Sequence, residues 1–287
     1  AGRERGRKGS MERTIARVRR LAGEVTVPGE LAPAQQQVLL AALAAGDGQV
    51  ANTPEAAGGL VEAMRALGVD VQRTDRLVQV RARGPRSLVA PAAPLDLTGM
   101  GPIRQALLGA LAAQPSAFSA RFGPPLPGED ELCARLQAMG AAVHRQDGIV
   151  TVDGGAGLTG VEHDVAGLPG EGRLGLLLAG LNAAGTTVLS EPDGQRSRLE
   201  RLLRERQVPV ECRRDDSESR FRMGVDGGRA LAATQVALGG DLALEPVYYP
   251  TRLDLRAYSL TQTSGAAPSI LAQPRALAVP PGDSATL

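Results

Sequence analysis

The chain has 287 residues, a formal net charge of +1 and a hydrophobic fraction of 43%. Such a length suggests about two domains and is ample for a buried core. The near-zero charge gives no sign of nucleic-acid binding, and no apolar run reaches the roughly 18 residues that a membrane-spanning helix needs. We therefore expect neither nucleic acid nor membrane as a partner.

The first twenty residues combine many basic side chains with no apolar stretch. A secretory signal requires such a stretch, so we interpret residues 1–21 as a basic flexible arm, or as an extension upstream of Met11. The only lysine of the chain, Lys8, lies in this arm, which excludes lysine chemistry from the rest of the sequence.

Cysteine and histidine are too sparse to suggest a metal centre. Cys133 and Cys212 lack the spacing of metal ligands and fit buried thiols in a reducing compartment, so we expect a cytoplasmic protein. His144 and His163 stand near no nucleophile or second ligand in sequence. We expect no metal and no cofactor.

A block of about seventy residues recurs three times, which indicates one supersecondary unit used repeatedly. The copies cover residues 22–92, 93–155 and 156–228, and each contains an Ala/Leu-rich helix followed by a more amphipathic one. The spacing predicts a βαβαββ unit. In the first copy its elements are Glu24–Val27, Gln36–Ala45, Gln49–Asn52, Gly59–Leu67, Val69–Arg73 and Leu77–Arg81.

The later copies end in strand pairs with polar turns. These strands are Ala141–Arg145 with Ile149–Val152, and Val208–Arg213 with Arg220–Val225. A glycine follows or ends most of the helices, at a place suited to a left-handed cap, and these glycines are Gly46, Gly68, Gly140 and Gly185. After residue 228 the pattern decays, and we expect residues 229–287 to form an irregular tail, with Glu245–Pro274 having no helix or strand period.

Several motifs in this order resemble the enolpyruvyl transferase family, specifically the EPSP synthases (3-phosphoshikimate 1-carboxyvinyltransferases). Residues 27–30, Val-Pro-Gly-Glu, resemble the family's opening Val-Pro-Gly-Asp. Leu95-Asp96 before Gly99-Met100-Gly101-Pro102 resembles its Leu-Asp-x-Gly-Asn-Ser-Gly-Thr segment. Residues 176–188, Leu-Leu-Leu-Ala-Gly-Leu-Asn-Ala-Ala-Gly-Thr-Thr-Val, are nearly the family's own sequence, and Glu191-Pro192 with Arg196 resembles its Glu-Pro-x-x-Ser-Arg.

The resemblance implies an α/β fold of two lobes, each of three βαβαββ units with helices inside and sheets outside. Residues 22–228 correspond to one lobe. The closing Val279-Pro280-Pro281-Gly282-Asp283 resembles the start of the other, so the sequence predicts a tail that stops where a second lobe begins.

The family's anion-binding residues are replaced at the matching positions. Its Lys-Ser falls on Leu31-Ala32 and the following Arg on Gln36. Its Asn-Ser-Gly-Thr loop falls on residues 99–102, its Arg-Pro-Met on Pro127-Gly128-Glu129, and its Ser-Ala-Gln on Pro169-Gly170-Glu171. The resemblance therefore implies no catalytic residue in this chain.

Three arginines remain as candidate substrate-binding residues. Arg196 matches a family arginine, Arg173 stands where a lysine is usual, and Arg104 lies one residue from the position of another arginine, which falls on Gln105. For Arg196 the alternative is a solvated arginine at a helix start. For Arg104 and Arg173 the sequence favours exposed surface residues.

Three functions stay open. The first is an EPSP synthase-like protein whose transfer of enolpyruvyl from phosphoenolpyruvate to shikimate 3-phosphate is impaired. The second is a split enolpyruvyl transferase with a different acceptor, completed by a second-lobe partner. The third is a non-enzymatic binding or dimerisation module. The partners implied are a phosphorylated or carboxylate small molecule, a second copy of the chain, or a polypeptide carrying the other lobe.

Overall fold

The computed structural model describes residues 24–26, 28–192, 198–240, 259–261 and 269–271. The chain divides into two compact units, Gly29–Leu238 and a second unit made of Ala1–Pro28 with Gly239–Leu287. The first described strand, β1 (Glu24–Thr26), belongs to the second unit. All helices of the described residues lie in the first unit.

The unit Gly29–Leu238 contains the three expected repeats. The elements of the first are α1 (Leu31–Leu43), β2 (Ala45–Ala51), α2 (Gly58–Ala66), β3 (Asp70–Thr74) and β4 (Leu77–Arg83). Those of the second are β5 (Leu95–Asp96), α3 (Ile103–Ala112), β6 (Phe118–Arg121), α4 (Glu129–Ala138), β7 (Ala142–Gln146) and β8 (Ile149–Asp153). Those of the third are β9 (Glu162–Asp164), α5 (Gly170–Gly180), β10 (Thr186–Pro192), α6 (Leu199–Arg204), β11 (Glu211–Asp215) and β12 (Arg220–Asp226).

Several predicted boundaries move, and two of the shifts have local causes. Helix α1 starts at Leu31 rather than Gln36, because Pro33 lies in the first turn, where a missing N–H leaves no helical bond unmade. Strand β11 starts at Glu211 rather than Val208, because Pro209 has no N–H to pair with β12.

Each repeat forms a four-stranded sheet with one pairing pattern. In the second and third sheets the order is β5-β6-β8-β7 and β9-β10-β12-β11, with the first pair parallel and the others antiparallel. The first sheet has the order β13-β2-β4-β3, where β13 is Gln235–Ala237. Strand β13 runs parallel to β2, with Gln235 opposite Gln49.

The first repeat is therefore completed from the far end of the lobe. The prediction that Glu24–Val27 begins this repeat is wrong, because β1 pairs instead with a strand of the second unit, β15 (Ser269–Leu271). Strand β15 pairs in turn with β14 (Ser259–Thr261), giving the order β1-β15-β14. The expectation of an irregular tail after residue 228 does not hold for β13, β14 and β15.

The helices α1, α3 and α5 form the interior and the sheets the exterior, as the resemblance implies. Every residue of α3 is buried, as are nine of the eleven residues of α5. The sheets alternate: on β4 the residues Val78, Val80 and Ala82 are buried, whereas Gln79, Arg81 and Arg83 are exposed. One face of this sheet thus covers the helices and the other meets solvent.

Helices α3 and α5 touch backbone to backbone at two glycines. A Cβ built on Gly109 would lie 2.0 Å from the carbonyl oxygen of Gly175, and one on Gly175 would lie 2.7 Å from that of Gln105. Neither position has room for a methyl group, so the close crossing depends on both glycines.

Glycine caps end two outer helices in the way the sequence predicts. Gly68 after α2 and Gly140 after α4 have φ of 81° and 104°, and each lies in the Schellman hydrogen-bond pattern. The prediction is wrong in detail for Gly46 and Gly185. Both have positive φ, but Gly46 lies inside β2 and Gly185 lies beyond the end of α5.

The third outer helix ends in the same bend without a glycine. After α6 the residue in the left-handed region is Gln207, with φ 59°. Val208 N–H donates to the Leu203 carbonyl at 3.1 Å, just as Val69 does to Met64 and Ala141 to Leu136. Gln207 therefore carries strain that Gly68 and Gly140 avoid.

Substitution of Gly109 by alanine is expected to destabilise the lobe by about 3 kcal/mol, because the methyl group must push α3 away from α5. Gly59 in α2 is the matched control, since nothing lies within 4 Å of a Cβ there. Gly59→Ala should leave stability unchanged or raise it by up to ~1 kcal/mol. Urea unfolding of both variants checks this, and equal midpoints would contradict the tight crossing.

Substitution of Gln207 by glycine is expected to stabilise the lobe by about 0.5–1 kcal/mol, because relief of left-handed strain exceeds the added backbone entropy of the unfolded chain. The reverse change at the equivalent position, Gly140→Gln, should cost about 1 kcal/mol. Thermal unfolding compared across the two variants measures both, and a destabilised Gln207→Gly protein would contradict the assignment.

Candidate functional site

The starts of α3 and α5 lie side by side, and the chain before α4 packs against both. A Cβ on Gly172 of α5 would lie 3.2 Å from Oε1 of Gln105 on α3, and one on Gly128 would lie 2.4 Å from Cδ of Pro169. Helix N-termini present unpaired N–H groups that favour anions. We call residues 98–105, 122–129 and 168–173 the helix-start face.

Arg104 is a polar residue of this face, and it is buried. Its side chain is 2% exposed, so the expectation of a surface residue is wrong. Its Nε donates to Oε1 of Glu129 at 2.5 Å, and its Nη2 donates to the Pro124 carbonyl at 2.5 Å. The guanidinium also lies over the ring of Phe122, 5.2 Å from the centroid.

Glu129 joins Arg104 to a second arginine. Its Oε2 accepts from Nη2 of Arg145 at 3.0 Å, and Arg145 also bonds Asp130 at 3.1 Å. The Glu129 side chain is 1% exposed, whereas Asp130 is mostly in solvent. One buried carboxylate is thus bound by two guanidinium groups, the pairing that a buried charge requires.

Arg173 is also buried and internally bound. Its side chain is 9% exposed, and Nη1 lies 3.5 Å from Oε1 of the fully buried Glu191. Its Nε donates to the Leu168 carbonyl at 2.7 Å. The expectation of a surface residue is wrong here as well. Arg196, the third predicted arginine, lies outside the described residues.

The structure brings Arg104 and Arg173 to one face, but each is held by a carboxylate of the chain itself. Sequence reasoning did not assign these partners. Glu129 carried a usable signal, because an acidic residue stands there where the family's motif has methionine. Glu191 had none, since Glu191-Pro192 served only as a landmark of the resemblance.

A third buried arginine lies elsewhere, between the third repeat and the first. Arg206 is 0% exposed and its Nη2 donates to Oε1 of Gln37 on α1 at 2.5 Å. Burial lowers its pKa to about 10. At the equivalent place after α2 and α4 stand the buried apolar residues Leu67 and Met139, so this guanidinium is a polar insertion into a repeated apolar position.

The cysteines and the acidic side chains are the remaining candidate groups. Among the described residues, no three His, Cys, Asp or Glu side chains gather as ligands. Cys133 and Cys212 are half-buried, and burial raises the pKa of the Cys133 thiol. Within the same ranges, no helix combines the length and apolar character that a membrane span requires.

His163 on β9 is 2% exposed, and its Nε2 has no hydrogen-bond partner in the described part of the chain. Burial, helped by the positive charge of Arg135, lowers the pKa of this imidazole to about 4. His163 is therefore a neutral residue of the core at neutral pH.

Solved structures have a similar fold. EPSP synthase from Acinetobacter baumannii superposes with a TM-score of 0.66 at 27% identity, over 76% of this chain and 49% of that one. The enolpyruvyl transferase NikO from Streptomyces tendae has a TM-score of 0.61 at 21% identity, over 80% of this chain and 54% of that one. The latter likeness supports the fold alone. The fold is that of an enolpyruvyl transferase lobe.

Sequence comparison gives the particular family. The EPSP synthase (3-phosphoshikimate 1-carboxyvinyltransferase) family profile matches residues 15–244. The 3-phosphoshikimate 1-carboxyvinyltransferase of Alkalilimnicola ehrlichii is 32% identical over 78% of this chain and 50% of its own length. That of Acidithiobacillus ferrooxidans is 33% identical over 81% of this chain and 58% of its own. The chain belongs to the EPSP synthase family, and it spans about half the length of these relatives.

Acid is expected to destabilise the lobe through His163. Because its folded pKa of about 4 lies below the unfolded value of 6.5, the neutral form stabilises the fold fully above pH 6.5. This contribution, at most about 3 kcal/mol, is lost as the pH falls from 6.5 to 4. His163→Leu should flatten the fall in unfolding free energy over that window. The exposed His144, replaced by leucine, is the control, and an equal slope in both variants would contradict the assignment.

Proposed function

We propose that this chain is an EPSP synthase-type lobe in which transfer of enolpyruvyl from phosphoenolpyruvate to shikimate 3-phosphate is impaired. Membership of the family supports the reaction class. The observation that carries the impairment is the internal pairing of both described candidate arginines, Arg104 with Glu129 and Arg173 with Glu191.

The argument rests on charge. Both substrates of the family reaction are anions, and positively charged groups must bind them and the transition state in a site shielded from water. A guanidinium that already holds a buried carboxylate presents little net charge to a ligand. Displacing that carboxylate would leave it buried and unpaired, at a cost of about 3–5 kcal/mol.

Apart from the two paired arginines, the first turns of α1, α3 and α5 carry no positive charge. Glu171 in the first turn of α5 is acidic, and α3 starts after Pro102, which lacks an N–H. Helix α1 starts with Leu31, whose side chain is 41% exposed. Glu171 opposes the attraction for anions that the dipole of α5 supplies, and the uncharged residues at the starts of α1 and α3 add no positive charge.

Calorimetric titration with shikimate 3-phosphate, followed by phosphoenolpyruvate, tests the proposal on the full chain. We expect no saturable heat below about 1 mM ligand, an affinity of roughly 4 kcal/mol at best, from protein that unfolds cooperatively. Micromolar binding would overturn the impairment. In that case Arg173→Gln should abolish binding, and Arg201→Gln, a change at an exposed arginine paired with Glu205, should not.

A further inference from the structure

The segment that leads into α4 packs against the start of α3 and is attached to it at several points. Residues 122–129 run Phe-Gly-Pro-Pro-Leu-Pro-Gly-Glu, and we call them the strap. The Pro127 carbonyl accepts from Nε2 of Gln105 at 2.8 Å, and the Pro124 carbonyl accepts from Arg104. A Cβ on Gly123 would lie 3.1 Å from the Thr98 carbonyl oxygen.

The strap ends in the Glu129 carboxylate, which lies between two guanidinium groups. One oxygen of Glu129 faces Arg104 and the other faces Arg145, with N–O distances of 2.5 Å and 3.0 Å. The ring of Phe122 lies under both guanidinium groups, 5.2 Å and 5.9 Å from their central carbons. Two guanidinium groups that divide one carboxylate between them form a recognition geometry for carboxylates and phosphates.

We infer that Glu129 is an autoinhibitory internal ligand. It fills an anion clamp formed by Arg104, Arg145 and the ring of Phe122, and it keeps that clamp closed to small carboxylate or phosphate ligands. This inference deepens the proposed function, on which it rests for the biological meaning of the block, and it names the residue that causes it.

Tethering explains why an external anion does not displace Glu129. A ligand on the same chain competes at the effective concentration set by its linker, which is high when the linker is short and rigid. The strap is such a linker: Pro124, Pro125 and Pro127 fix their own φ angles. Gly128, with φ 79°, makes the bend that turns the chain into α4.

Replacement of Glu129 by alanine removes the internal ligand and leaves room for an external one. Asp130→Ala is the matched control, because Asp130 also bonds Arg145 but does not contact Arg104. Thermal unfolding is followed in formate, acetate or inorganic phosphate, with chloride at equal ionic strength as reference. We expect a saturable rise in midpoint with formate or phosphate for Glu129→Ala only.

Affinity gives the second readout. Inorganic phosphate should bind Glu129→Ala about tenfold or more tightly than it binds the unaltered chain, and the double variant Arg104→Met/Glu129→Ala should lose the gain. If Glu129→Ala folds only with formate or phosphate present, the inference is supported. Equal responses in the Glu129 and Asp130 variants, a gain that survives loss of Arg104, or no folding in either salt would overturn it.

These results separate the inference from the proposed function. Shikimate 3-phosphate binding by the unaltered chain tests the impairment, whereas the response of Glu129→Ala to formate tests the clamp. Tight binding by the unaltered chain together with formate rescue would remove the impairment and keep the clamp. If the unaltered chain does not bind shikimate 3-phosphate and formate does not stabilise Glu129→Ala, the impairment stands and the clamp is refuted.

Discussion

The contact of α3 with α5 at Gly109 and Gly175 is the constraint on which the lobe depends. Backbone packs on backbone there, with no space for a single methyl group at Gly109, and this closeness lets helices rather than side chains fill the centre. With the helices inside, each sheet has one covered face and one wet face. The alternation seen on β4 follows from that, and so does the outward position of the charged strand residues.

The same packing dictates how the chain treats charge. The starts of α3 and α5 are brought together, so the guanidinium groups of Arg104 and Arg173 are buried there, and a buried cation must find a carboxylate or a carbonyl. Arg104 and Arg173 find Glu129 and Glu191. A buried ion pair of this kind offsets the cost of burying its charges but adds little net stability. It also neutralises the positive charge that an anion site needs. In this lobe, the ion pairs that make the burial of these arginines possible also reduce the positive charge that could bind an anion.

Much of this fold was predictable from the sequence, because the residues of the repeat have strong local conformational preferences. The Ala/Leu helices, the polar hairpin turns and the caps at Gly68 and Gly140 are local features, and the structure has them. What stayed out of reach was non-local: the first sheet takes its edge strand from Gln235–Ala237, a segment with no signal of its own. The turn at Gln207 was not predicted, because glutamine has no preference for the left-handed conformation.

For the candidate site, the sequence identified the arginines but did not predict that they are buried. The sequence singled out Arg104 and Arg173 but placed them in solvent, since arginine is seldom buried. Their burial follows from the partners Glu129 and Glu191, which come from other elements and become neighbours only in three dimensions. The replacement of an apolar family position by Glu129 was the available hint that a buried cation lay opposite.

Completion of the first sheet by β13 has a consequence for synthesis on the ribosome. The side-chain amide of Asn52 donates to the carbonyl of Leu238, a separation of 186 residues, and at roughly 10 residues per second ~20 s pass between the emergence of these two residues. During that interval one edge of β2 has no partner strand, and its free N–H and C=O groups can pair with strands of other nascent chains. The end of the lobe thus pairs with its beginning, and the sheet of the repeat that is synthesised first is among the last to be completed.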